Sequence, residues 1–184
     1  MIIETERLIL RPFIKNDYMD VFEYLKEPLV NCFMCMKLNS HIEAIKLMKE
    51  RSKDNTLCFA IVLKSENKVI GEIDAHAESN NPIENSILDT YSPCWMLNKH
   101  YHGKGYAYEA AKAFFDYLFN ELGARRIYAY TEDYNISSQK LCKKLGMRKE
   151  GEYLEFVSFV SDELGRPIYE NTIEWAILKK EWKN

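Results

Sequence analysis

The spacing of apolar residues along the chain predicts a sheet whose strands are interrupted by helices. Strands are expected where apolar and polar residues alternate, or where turn residues bound a short apolar run, at 5–13, 56–63, 68–77, 94–97 and 125–131. Two further long strands are expected between Met147 and Trp182, on either side of a turn signal at 162–167. Residues 78–92 are polar and predict a long loop.

Apolar spacing of three and four residues predicts four helices. The first starts at Asn16 or Asp17 and ends before Pro28. The second starts at a capping box formed by Ser40 and Glu43, and its apolar residues are expected to face the interior: Ile42, Ile45, Leu47 and Met48. The third and fourth end at glycines that follow their last turn, Gly123 and Gly146.

Composition narrows the class of protein. A chain of 184 residues with 47% hydrophobic and 29% charged residues is most simply one globular domain. Its net charge of −3 does not favour nucleic acid as a partner. We expect a cytoplasmic protein with no membrane partner. The start of the chain is charged, no apolar run reaches the length of a membrane span, and the five cysteines are odd in number and scattered.

The sequence does not predict a metal site. Cys32 and Cys35 form a CxxC pair, but no second pair follows at the spacing of a zinc site. The four histidines are not arranged as a set of ligands either. We therefore expect no metal.

The most informative stretch is a glycine-containing loop between the strand at 94–97 and the third helix. It reads His-Gly-Lys-Gly-Tyr-Ala over 102–107. Glycines leave backbone N–H groups unshielded, and the first N–H groups of a helix lack internal partners and carry partial positive charge. The loop therefore predicts a cradle for a phosphate or pyrophosphate. It is not a Walker loop or a G-x-G-x-x-G fingerprint, because Gly-Lys-Ser/Thr is missing and Tyr108 replaces the third glycine.

A second motif follows the strand at 125–131. Asn135-Ile136-Ser137-Ser138 opens a short helix that ends at Leu145-Gly146-Met147. Together with the loop at 102–107, this motif resembles the GNAT N-acetyltransferases, in particular the branch that includes the ribosomal-protein N-terminal-alanine acetyltransferases. The resemblance runs from about residue 5 to residue 182. It implies an α/β GNAT fold with a mixed, mostly antiparallel central sheet of about seven strands, helices on both faces, and splayed fourth and fifth strands.

The resemblance also implies how acetyl-CoA, the co-substrate of the family, would be bound. Mostly through their backbone, the loop residues would hold the pyrophosphate: Gly103, Lys104, Gly105, Tyr106 and Ala107. The backbone of Leu97 would face the pantetheine arm or the thioester oxygen, while Asn135 and Ser138 would lie near the arm and the sulfur. His102 belongs to the same loop, at a position where the family has Gln or Arg.

Acetyl transfer needs an acid for the leaving thiolate and a base that takes the proton from the ammonium of the acceptor. Many GNAT enzymes supply the acid from a Tyr in the helix after the Asn-x-x-Ser motif. Here Cys142 stands at that position, so Ser138 is our candidate acid. Glu109 lies in the first turn of the third helix and is interpreted as structural. The candidate bases are carboxylates on predicted strands: Glu72 and Asp74, which share one face of their strand, with Glu155 as runner-up.

We therefore expect a single GNAT domain over residues 1–184 that transfers an acetyl group from acetyl-CoA to a primary amine by direct attack on the thioester. The acceptor would be a protein N-terminus or a small amine such as a polyamine or an aminoglycoside-like compound. The protein would be a monomer or a homodimer.

Two other hypotheses stay open. One is a non-catalytic acetyl-CoA-binding module, which Cys142 and His102 favour and the retained Asn135 and Ser138 disfavour. The other is an unrelated nucleotide-binding α/β domain with a parallel sheet. The run of three strands before the glycine loop, without helices between them, argues against that domain.

Overall fold

A computed structural model of the protein describes residues 1–53, 57–79 and 87–183. The described strands are β1 (Ile3–Glu4), β2 (Leu8–Arg11), β3 (Cys58–Leu63), β4 (Lys68–Glu78), β5 (Thr90–Leu97), β6 (Arg126–Glu132), β7 (Arg148–Ser161) and β8 (Pro167–Leu178). The α-helices are α1 (Tyr18–Leu25), α2 (His41–Arg51), α3 (Tyr106–Asn120) and α4 (Ile136–Lys144). The 3-10 turns are Lys15–Asp17, Asn31–Met36, Lys99–Tyr101 and Lys179–Glu181.

The strands are hydrogen-bonded in the order β1-β2-β3-β4-β5-β6-β8-β7. Strand β5 pairs with β6 in parallel, at Thr90 with Arg126 and at Tyr91 with Ile127, near the N-terminal ends of both strands. The β1–β2, β2–β3, β3–β4, β6–β8 and β7–β8 ladders are antiparallel. The predicted α/β class with a mostly antiparallel sheet is confirmed, and the parallel-sheet hypothesis is wrong. The described residues form eight strands rather than about seven, because the short β1 precedes the predicted first strand.

The chain packs as two compact units. The first comprises Met1–Leu29, Met36–Ala75 and Cys94–Phe114, and the second Val30–Cys35, His76–Pro93 and Phe115–Asn184. Side chains fully buried in the first unit include Leu8, Leu10, Leu25, Met48, Ile61, Ile70, Ile73 and Phe114. Those fully buried in the second unit include Phe115, Leu118, Phe119 and Ile127. No helix among the described residues is both long enough and apolar enough to cross a membrane.

The interior face of α2 differs from the prediction. Ser40 does cap the helix, since its side chain accepts a hydrogen bond from the N–H of Glu43 at 3.3 Å. However, Ile42 is 79% exposed and Ile45 is 49% exposed, and the buried residues of α2 are Ala44 and Met48. Apolar residues at helical spacing predict that a helix has an apolar face, but they do not predict which side of the helix packs against the interior. In α2 that side is formed by Ala44 and Met48.

Element boundaries shift by a few residues where strands meet the polar loop. Strand β4 extends to Glu78, and β5 begins at Thr90, four residues before the predicted start at Cys94. Residues 80–86 of the predicted loop, and Thr56 at the predicted start of β3, lie outside the described residues. The five cysteines all lie within the described ranges and form no disulfide.

Candidate functional site

The glycine loop lies in the first unit, directly before α3, and is exposed. Gly103 and Gly105 have φ angles of +75° and +85°, in the left-handed region that residues with a Cβ rarely adopt. The first hydrogen bond of α3 runs from the N–H of Glu109 to the carbonyl of Gly105 at 3.1 Å. In general, the first N–H groups of an α-helix have no carbonyl one turn back to bond to. Exposed donors at a helix N-terminus are what an anion cradle needs.

Glu109, in the first turn of α3, is hydrogen-bonded to Thr5 and Arg7 near the beginning of the chain. Its Oε1 accepts hydrogen bonds from the Thr5 hydroxyl at 2.6 Å and the Arg7 N–H at 2.8 Å, and its Oε2 accepts one from Arg7 Nε at 2.7 Å. Arg7 also donates to the carbonyl of Lys104 at 3.0 Å and lies 4.5 Å from the ring centre of Tyr106. Burial opposes the charge of Glu109, but the bonds from Thr5 and Arg7 lower its pKa overall. The structural interpretation of Glu109 is confirmed, whereas sequence reasoning missed Arg7.

We expect Glu109→Gln to destabilise the protein in a pH-dependent way. The folded-state pKa of Glu109 lies below its ordinary value of 4.5, so its contribution is fully present above that value. The contribution is lost as the pH falls through the lowered folded-state pKa. Urea denaturation of wild type and variant should give a difference in the free energy of unfolding of about 1–3 kcal/mol at neutral pH, shrinking in acid. A difference that stays constant with pH would contradict this role of the ionised carboxylate.

The end of β5 is held close to β4 at a glycine. A Cβ on Gly71 would lie 2.3 Å from the carbonyl oxygen of Met96 and 2.9 Å from the Cα of Leu97, so only glycine permits this approach. The carbonyl of Leu97 in turn accepts a hydrogen bond from His102 Nε2 at 2.9 Å. The backbone predicted to face the pantetheine arm is therefore positioned by Gly71 and by His102, the residue that departs from the family pattern.

Glu72 and Asp74 lie on β4, and their surroundings differ. Glu72 Oε2 accepts hydrogen bonds from the Tyr24 hydroxyl and from Arg51 Nη1, both at 2.7 Å, and Glu72 Oε1 accepts one from Arg51 Nη2 at 3.1 Å. The side chains of Glu72 and Arg51 are only 3% and 16% exposed. The negative charge of Glu72 is therefore compensated within the first unit, while Asp74, two residues along β4, is half-buried.

Burial beside Glu72 shifts the pKa values of Tyr24 and Arg51. Burial, together with the nearby charge of Glu72, raises the pKa of Tyr24 well above its ordinary value. Burial alone would lower the pKa of Arg51, but the charge and hydrogen bonds of Glu72 raise it overall. Sequence reasoning missed both Tyr24 and Arg51, because no local pattern links a helix residue to a carboxylate on a distant strand.

The motif residues Asn135 and Ser138 lie at the start of α4, in the second unit. Asn135 Oδ1 accepts a hydrogen bond from the N–H of Ser138 at 3.2 Å, which makes Asn135 the N-cap of α4. The Asn135 amide also donates to Glu132 Oε2 at 3.3 Å. Ser138 is half-buried, whereas Cys142 is fully buried and burial raises the pKa of its thiol to about 12. Cys142 therefore packs in the interior of the second unit.

The predicted site residues thus divide between the units. The first unit contains those of the loop and of β4 and β5: Leu97, His102, Gly103, Lys104, Gly105, Tyr106, Ala107, Glu72 and Asp74. The second contains Asn135, Ser138 and the runner-up base Glu155. Glu155 is exposed on β7 with a φ of +47°, and its N–H donates to Asn171 Oδ1 at 2.9 Å.

Comparison with known proteins decides the family. A family model described as an acetyltransferase (GNAT) domain matches residues 7–148. The chain belongs to the GNAT acetyltransferase family. The uncharacterized N-acetyltransferase YnaD of Bacillus subtilis (strain 168) is 31% identical to it over 182 residues, which cover 99% of this chain and 99% of YnaD.

Solved structures are also similar to this GNAT acetyltransferase. A GNAT family acetyltransferase from Bacillus anthracis is 28% identical, with a TM-score of 0.82 over 98% of this chain and 100% of the other. The ribosomal-protein-S5-alanine acetyltransferase of Vibrio fischeri covers 100% of both chains with a TM-score of 0.69, and at 21% identity it shows the fold alone. The predicted family, fold and enzyme class are confirmed. Within the described ranges, no group of three His, Cys, Asp or Glu side chains is placed to hold a metal ion.

Proposed function

We propose that this GNAT enzyme binds acetyl-CoA through the loop from Gly103 to Ala107 and transfers the acetyl group to a primary amine. The observation that carries the proposal is the backbone of the loop, where two glycines with positive φ directly precede the start of α3, since a helix N-terminus with a glycine loop before it favours a bound phosphate. Arg7, which is paired with Glu109, donates to the carbonyl of Lys104 and so helps to position this loop. The acceptor in this proposal is a protein N-terminus or a small amine.

The chemistry that we propose is direct transfer. The neutral amine attacks the carbonyl carbon of the thioester, a C–N bond forms, and the C–S bond breaks to release a thiolate. Ser138 passes a proton to the thiolate, directly or through water, and takes a replacement proton from the solvent. Asp74 accepts the proton that the amine loses, while Glu72, already bound by Arg51 and Tyr24, is better suited to holding β4 in place than to proton transfer.

A second candidate function is a module that binds acetyl-CoA without turnover. The observation that favours it is Cys142, which occupies the position of the family's tyrosine acid and is buried with a raised pKa. Under this hypothesis the loop would bind acetyl-CoA, but Ser138 would not replace the missing tyrosine.

The proposal treats the chain as a single GNAT domain, since the family model spans most of its length. Five cysteines, none of them in a disulfide, support a reducing, cytoplasmic setting for the enzyme.

Calorimetric titration with acetyl-CoA tests the proposal, with NAD and ATP as controls. We expect selective binding with a Kd on the order of micromolar. An amine panel then follows, with release of free CoA thiol as the readout. Turnover of any amine supports the enzyme, and binding without turnover across the panel supports the non-catalytic module. A folded protein that does not bind acetyl-CoA would overturn both.

A further inference from the structure

A small cavity in the second unit is lined by residues of β6, β8 and β7, and we call it the β6–β7 cavity. Its volume is about 170 Å³, enough for a short alkyl chain with a polar head. Three aromatic side chains, three residues with aliphatic or hydroxyl groups, and one carboxylate line it: Tyr130, Phe156, Phe159, Thr131, Val157, Thr172 and Glu132. The sequence motifs and the proposed acetyl-CoA loop do not account for this cavity.

The aromatic rings of the cavity are held in place yet accessible. Tyr130 is 47% exposed and Phe156 is 50% exposed, and their ring centres lie 5.9 Å apart. Tyr153 packs beside Phe156 with ring centres 5.0 Å apart and donates a hydrogen bond from its hydroxyl to Glu174 at 2.6 Å. Exposed aromatic faces attract organic cations because of the negative potential above each ring.

Glu132 provides the charge of the cavity. It is only 6% exposed, and its carboxylate accepts a hydrogen bond from a neutral amide, that of Asn135. Among the described residues no Lys, Arg or His forms an ion pair with Glu132, whereas the buried carboxylates Asp17 and Glu72 each pair with an arginine. A buried carboxylate without a cation is costly, and a cationic ligand relieves that cost.

A second buried carboxylate lies on the same face of the sheet. Glu132 is paired with Thr172 across the β6–β8 ladder, and Glu170 is two residues from Thr172 along β8, so all three side chains share one face. Glu170 accepts hydrogen bonds from the Asn31 amide and from the Tyr134 hydroxyl, both neutral. The cavity thus lies on a face with two buried carboxyl groups and aromatic rings.

The backbone of β7 is distorted where it forms the wall. Tyr153 pairs with Thr172, and Val157 pairs with Glu170. Between these two pairs β7 therefore contains two more residues than β8, which is a β-bulge. Glu155, within this bulge, has a φ of +47°, and its N–H is held by Asn171. Bulges and strained φ angles persist where surrounding contacts hold them, and they often re-aim a side chain at a binding site. Here the bulge directs Phe156 to the cavity.

A short chain of contacts links the cavity to the motif at the start of α4. Asn135 donates to Glu132 with its amide nitrogen and accepts from the N–H of Ser138 with its amide oxygen. One side chain therefore separates the buried carboxylate from the residue that we propose as the acid of the reaction. Asn135 thus connects the cavity to the backbone of the residue that we propose as the acid.

We propose that the β6–β7 cavity binds an ammonium group of the amine acceptor, with Glu132 as its counter-charge and Tyr130 and Phe156 as its aromatic walls. That the ligand is the amine acceptor rests on the proposed acetyl transfer. The binding of an ammonium in the cavity can be measured without acetyl-CoA.

The test is a titration of the protein with n-butylammonium chloride and, separately, with n-butanol, followed by NMR of the Phe156 and Phe159 rings. The two probes have the same length and differ in charge. We expect saturable shifts of these ring signals with n-butylammonium only. Glu132→Gln keeps an oxygen for the Asn135 amide and should weaken binding about tenfold. Glu163→Gln, which removes the same charge in the β7–β8 turn, is the matched control and should bind as wild type does.

The outcomes separate the two proposals. Equal shifts with n-butanol and n-butylammonium, or unchanged affinity in Glu132→Gln, would overturn the ammonium site even if acetyl-CoA binds and is turned over. Failure of acetyl-CoA to bind the wild-type protein would overturn the proposed function, while the charge-dependent titration would still support an ammonium site. The circular dichroism spectrum and the midpoint of urea unfolding of Glu132→Gln should match those of the wild type, which shows that the variant is folded.

Discussion

Arg51→Met should lower the free energy of unfolding by about 3–5 kcal/mol, because it leaves the Glu72 carboxylate buried without its cation. The aliphatic part of the side chain is kept, so the loss reports the charge rather than a cavity. Chemical denaturation of the two proteins measures the difference. Lys149→Met is the matched control: Lys149 and Glu152 form an exposed pair, and its loss should change stability by no more than about 1 kcal/mol.

A double variant tests the reason for this loss. Arg51→Met with Glu72→Gln removes both charges and keeps a group that can accept from Tyr24, so it should be more stable than Arg51→Met alone. If Arg51→Met were no more costly than Lys149→Met, the ion pair would not hold α2 to β4. Glu72 would then be available as a base in the reaction.

Gly105→Val should weaken acetyl-CoA binding about 100-fold while the protein stays folded. Valine does not fit a φ of +85°, so the loop must move and the donors at the start of α3 move with it. Losing two hydrogen bonds to a charged group, at about 1.5 kcal/mol each, accounts for this factor. Calorimetric titration with acetyl-CoA measures the affinity, and circular dichroism checks the fold.

Gly165→Val is the control for backbone strain. Gly165 has a φ of +76° in the exposed turn between β7 and β8, and a Cβ there meets nothing within 4 Å. Gly165→Val should lower the free energy of unfolding by about as much as Gly105→Val does, and it should leave the affinity for acetyl-CoA unchanged. Wild-type affinity in Gly105→Val would mean that the loop is not the cradle, and equal loss of affinity in both variants would point to general destabilisation.

Local elements of the fold were predictable because their signals lie within a few residues. Ser40 caps α2 through the N–H three residues on, and glycines with φ of +72° and +80° follow α3 and α4, at Gly123 and Gly146. The alternation on β6 was also predicted correctly, with Ile127, Ala129 and Thr131 buried and Tyr130 exposed. The interior face of α2 was not predicted, because it depends on what packs against the helix.

The site was predictable only in its backbone. The loop at 102–107 and the motif at 135–138 are each contiguous in sequence, and their resemblance to the GNAT enzymes indicates the family and, through it, acetyl-CoA as the expected co-substrate. The contacts that support them join residues far apart: Arg7 and Glu109 are 102 positions apart, and Tyr24 and Glu72 are 48. No pattern in one sequence connects such residues, since their proximity follows from the folded chain.

By itself, the sequence determined the order of elements and the glycine loop before α3, because turns and caps are properties of neighbouring residues. Through the resemblance of two short motifs it also indicated the GNAT family. Only the tertiary structure decided which carboxylates carry a compensated charge. Glu72 and Glu109 meet arginines from distant segments, while Glu132 is buried beside aromatic rings with a neutral amide. The physical reason is that burial and charge compensation depend on residues brought together by folding, which local spacing does not encode.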